Sequence, residues 1–118
     1  MTDTIVVMIT CSSKREAVKI KEALLEKRKA ACINIISGVN SFFWWKGKID
    51  SSLEVLLLAK TKKKMLRGII TLVKKIHSYE VPEIIALPIV GGNKDYLNWR
   101  GGGCNNSLSF HWDYRVDR

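Results

Sequence analysis

Two prolines and two histidines are all that this chain of 118 residues holds of either type, and its 11 acidic residues are outnumbered by 20 lysines and arginines. No stretch approaches the roughly 18 or more apolar residues that a membrane helix requires, and the first ten residues show neither a basic start nor a cleavage site. A cytoplasmic home is the expectation. The three cysteines, Cys11, Cys32 and Cys104, are an odd number at spacings that match neither a disulfide framework nor a paired zinc motif, so reduced thiols are expected. Also missing are a serine nucleophile elbow, a phosphate-binding glycine loop, a histidine pair on a helix and catalytic carboxylates at a recognisable spacing. The usual enzyme signatures are thereby excluded.

What is present is the composition of one globular domain, 47% hydrophobic and 26% charged. The formal charge of +9 draws anions, nucleic acid or acidic surfaces toward the chain but does not bear on its fold. Ile5 to Ile9 is a β-branched apolar run, the pattern of a strand buried on both faces. Ser13 and Glu16 form a capping-box pattern ahead of Ala17, Ile20, Leu24 and Ala31, which predicts a helix over 13–29. From Cys32 the period changes to that of a long strand, bent at Ser37-Gly38 and aromatic-rich from Val39 to Trp45. After a turn at 46–48, Leu53, Val55, Leu57 and Ala59 alternate along its hairpin partner. Met65, Ile69, Leu72, Val73 and Ile76 predict a second helix over 62–76, and Ile84 to Val90 a fourth strand with Pro88 at an edge or bulge.

The order β-α-β-β-α-β is that of an α+β, ferredoxin-like fold with both helices on one face of an antiparallel sheet. Its second face carries too many apolar residues, Leu56 and Leu58 among them, to stay wet, and self-association is the expected remedy. Asp95 to Trp99 predicts a short helical turn before a break at Gly101-Gly102-Gly103. Residues 1–100 therefore read as the domain and 101–118 as an atypical tail, in which Leu108 to Val116 alternates like one more edge strand.

The segments VVMITCSSKREA, LLEKRKAACINII, SFFWWKGKI, EVLLLAKT and IHSYEVPEIIALPIVGGNKDYLNW together resemble the CutA family, the divalent-cation tolerance proteins, over about residues 5 to 99. The resemblance implies a homotrimer of ferredoxin-like subunits and a role in copper binding and metal tolerance. It implies metal ligands at Cys11 and His77. Ile76 stands where some members carry a second histidine. Glu83, in the shared Tyr-x-x-Pro-Glu pattern, is the further candidate ligand, and thiolate with imidazole suits copper or zinc. Trp44, Trp45, Lys60, Tyr79 and Trp99 are expected at the subunit interface or its clefts.

Plainer roles exist for each of these residues. Cys11 is equally a small buried hydrophobe, His77 a helix-end group, and Glu83 a surface carboxylate beside lysines. Two other functions fit the composition. One is a small-molecule sensor of the trimeric PII type, with lysines 60–64 lining a cleft between subunits. The other is RNA binding, against which stands the absence of stacking aromatics from EVLLLAK.

Overall fold

A computed structural model describes residues 2–103. The chain runs through β1 (Thr4–Cys11), α1 (Lys14–Glu26), β2 (Cys32–Trp45), β3 (Lys48–Lys62), a 3-10 turn (Lys63–Met65) leading into α2 (Leu66–Ile76), β4 (Ile84–Pro88) and α3 (Lys94–Gly103). The four strands form one antiparallel sheet in the order β2-β3-β1-β4. This is the expected ferredoxin-like arrangement.

Period-2 alternation decides which side chains meet the helices. Val7 lies opposite Ala59, Ile9 opposite Leu57 and Cys11 opposite Val55, so these six share one face of the sheet. Ala17, Ile20 and Leu24 of α1 and Ile69 and Val73 of α2 complete the core over them, all five with no exposed surface. Each fully buried Leu, Ile or Val contributes about 1.5 to 3 kcal/mol. Slipping β1 by one residue would turn this set away from the helices, which fixes its register. The reverse face carries Val6, Met8, Leu56, Leu58, Ile85 and Leu87, with Ile85 49% and Leu87 50% exposed.

β1 reaches only as far as Val55 of its partner strand, so the outer part of the β2–β3 hairpin projects beyond the sheet. The bend expected at Ser37-Gly38 is a register shift between Ile36 and Val39, with Gly38 at φ +76. At the tip, Trp45 pairs with Lys48, which leaves a two-residue turn. Lys46 at φ 49 and Gly47 at φ 79 give it the type I′ geometry that matches strand twist.

Several boundaries differ from the sequence-based expectation. α1 stops at Glu26 because Arg28 takes a left-handed φ of 54, and Arg28 and Lys29 N–H donate back to Leu25 and Leu24 carbonyls at 3.1 and 2.8 Å. That is a Schellman closure with arginine where glycine is usual. β4 ends at Pro88, whose missing N–H is tolerated at the end of an edge strand. α3 continues through Gly101 to Gly103, where a break was expected; glycine costs a helix about 1 kcal/mol per residue without forbidding it. The expected tail strand, Cys104 and His111 lie outside the described residues.

Candidate metal centre

Cys11 ends β1 on its inward-facing parity, which buries it completely between the sheet and the start of α1. Two residues on, Ser13 caps α1 by accepting the Glu16 N–H at 3.1 Å. The Glu16 carboxylate then reaches backward. Its Oε1 accepts from the Ser12 N–H at 2.8 Å and the Ser12 hydroxyl at 3.0 Å, one residue beyond the donor of an ordinary capping box. Oε2 accepts the Ser78 N–H at 2.6 Å, tying the start of α1 to the connection that follows α2.

His77 is the C-cap of α2, where its extended backbone turns the side chain back into the protein. The imidazole has no exposed surface. Its Nδ1 accepts the Tyr79 N–H at 3.0 Å, which leaves the ring proton on Nε2 to be donated to the Thr10 carbonyl at 2.8 Å. Nδ1 also lies 3.7 Å from Glu16 Oε2. Tyr79 in turn donates its hydroxyl to Glu54 Oε2 at 2.7 Å. One donor atom each from Cys11, Glu16 and His77 falls within 4.8 Å of the others.

Burial and hydrogen bonds set the charge of this corner. Burial alone would raise the Glu16 carboxyl, but the bonds donated by Ser12 and Ser78 reverse the effect and hold it down to about 2. Burial, then the Glu16 and Glu54 carboxylates, push the Cys11 thiol up to about 12. The same sequence of causes, burial followed by the bond to Glu54, raises Tyr79 to about 12. The corner thus holds an anionic carboxylate beside a protonated thiol.

The expected ligands Cys11 and His77 are brought together, and the carboxylate that joins them is Glu16. Glu83 lies instead on a cleft of about 690 Å³ with Glu54, Glu80, Asp50, Trp45 and Tyr79. Thr10 and Tyr79 form part of that cleft and also bond His77, so they are the wall between cleft and corner. Trp44 is 73% exposed on the hairpin. Lys60 bonds Asn34 across β2 and β3, outside the cleft. Trp99 sits on α3, its side chain outside the described residues. Ile76 is half-buried against the core. Glu16 escaped notice as a site residue because the Ser-x-x-Glu pattern is fully accounted for by capping.

The model of the CutA1 divalent ion tolerance protein family matches residues 5–102. The chain belongs to this family. Among CutA relatives, the divalent-cation tolerance protein CutA of Thermus thermophilus is 46% identical over 94 residues, 80% of this chain and 91% of the relative. The rice protein CutA 1, chloroplastic, is 42% identical over 96 residues, 81% of this chain and 54% of its own length. The chain spans about half the length of the plant and mammalian relatives it matches. The Thermus thermophilus Cut A1 structure superposes with a TM-score of 0.84 at 42% identity, covering 86% of this chain and 99% of that one. The names in this family describe tolerance to cations and no reaction.

Proposed function

We propose that this CutA-family chain binds a divalent transition metal, copper or zinc by its donor chemistry, through Cys11, His77 and Glu16. The observation that carries the proposal is the arrangement around His77. Donation of its Nε2–H to the Thr10 carbonyl is the outer bond that orients a metal-ligating imidazole, and it turns Nδ1 toward Glu16. Sulfur, nitrogen and carboxylate oxygen together suit copper and zinc better than magnesium or calcium.

The ion would replace two interactions already in place and release one proton. It displaces the thiol proton of Cys11 and takes the Nδ1 lone pair from the Tyr79 N–H. Affinity therefore rises with pH, and the connection 77–83 must part to admit the ion. Glu83, with Glu80 and Glu54, is assigned to the approach cleft, where carboxylates concentrate cations. A raised thiol pKa is the reverse of what a cysteine nucleophile needs, which supports a non-enzymatic role.

A homotrimer belongs to the same proposal. Its support is the apolar reverse face of the sheet and the exposed Phe42, Trp44, Trp45, Ile49 and Leu53 of the hairpin, more than a monomer usually leaves in water. Trp45 and Tyr79 would then line a subunit boundary. The free thiols of Cys11 and Cys32 support a reducing compartment, and we assign the cytoplasm. Calorimetric titration with zinc and with copper under reducing conditions, with light scattering on the same samples, tests the whole reading. Saturable binding by a trimer, lost in a Cys11→Ser/His77→Ala variant that is still trimeric, is the expected result; binding unchanged in that variant contradicts the site, and a monomeric mass contradicts the assembly.

A further inference from the structure

α2 and the connection from α1 to β2 flank an open groove of about 630 Å³. Lys64, Gly68, Thr71 and Lys75 recur at spacings of four, three and four residues, a single stripe along the helix, with Arg67 beside it. Facing this stripe are Lys27 and Lys29. Among the described residues, five cations line the groove and no carboxylate does. Among the described residues that line the groove there is thus no counter-charge to these cations.

The groove is held in shape from below. Lys29 donates its N–H to Leu24 and accepts the hydroxyl of buried Thr61 at 2.6 Å, so its backbone is pinned on both sides. The left-handed Arg28 before it sets the direction in which the connection leaves α1. A Cβ on residue 68, in the first turn of α2, would stand 3.1 Å from Lys29 Nζ, so that ammonium lies close over the glycine. The 3-10 turn runs directly into α2, and no acidic residue stands in the first turn of that helix. Charge and shape converge on one spot.

We infer that this groove is a binding site for an oligophosphate anion, a compact chain of phosphates whose several negative charges the five cations match. It lies within one subunit on the helix side of the sheet and uses none of the residues of the metal corner. Of lysines 60–64, Lys64 alone contributes to it.

The probe is inorganic triphosphate, titrated by calorimetry at 0.1 M salt. Three forms are compared: the native chain, Lys29→Gln/Lys75→Gln, and a charge-matched control, Lys14→Gln/Lys19→Gln on exposed α1 positions outside the groove. One-site binding that weakens tenfold or more in the groove variant and less than twofold in the control is the expected result. Equal weakening in both double variants, no saturable binding, or tighter binding of a single-stranded RNA than of triphosphate each overturns the proposal. The first and last of these would identify a diffuse field of a basic protein.

Discussion

Two of the places where charge is gathered in this molecule are treated in opposite ways. At the end of β1, the one carboxylate of Glu16 accepts three short hydrogen bonds from Ser12 and Ser78 and lies beside an imidazole whose two nitrogens are both engaged. Between α1 and α2, five cations share a groove without a carboxylate among them. A satisfied buried charge fixes the positions of the segments that bind it; an unsatisfied set of like charges repels itself and waits for a counter-ion. The difference separates a charge that supports the fold from charges that the fold supports.

Neutralising a residue in each place should therefore move stability in opposite directions. Glu16→Ala strands the Ser12 and Ser78 donors and is expected to cost on the order of 3 kcal/mol by denaturant unfolding. The pH dependence sharpens this. The carboxyl sits at about 2 in the fold against 4.5 as its ordinary value, so its contribution is complete above about pH 4.5 and is lost as pH falls through about 2. In Glu16→Gln that acid limb of the stability curve should flatten. Arg28→Gly, which places glycine at a φ of 54, is expected to raise stability by about 1 kcal/mol. The smallest effect belongs to the groove: Lys75→Gln should stabilise by a few tenths of a kcal/mol at low salt and by nothing measurable at 1 M. A destabilising Lys75→Gln would show that the groove cations have partners after all.

The order of elements, the bulge before Val39 and the inward Val55, Leu57 and Ala59 of β3 were legible because period and turn chemistry are local, whereas Leu53 of the same alternation lies beyond the helices on the projecting hairpin and is 68% exposed. Cys11 and His77 could be paired only through the resemblance of the surrounding segments to CutA proteins, since they are far apart in the chain. The role of Glu16 was hidden for a different reason. A capping glutamate and a glutamate that also crosses to Ser78 look identical in sequence, because the second partner is brought by the path of α2. Likewise, the lysine-rich stretches were visible as charge, but the selection of Lys27, Lys29, Lys64 and Lys75 into one groove depends on the left-handed turn at Arg28. Glycine would ordinarily mark such a turn, and its absence led to a helix drawn three residues too long.

The central claim is that a metal ion enters the Cys11–Glu16–His77 corner by displacing the thiol proton. Zinc titration in two buffers of different ionisation enthalpy counts the protons released. The account predicts about one proton per ion near neutral pH, with affinity rising as pH rises, and loss of both features in Cys11→Ser. Zinc bound equally well by Cys11→Ser, with no proton released in either form, would contradict it.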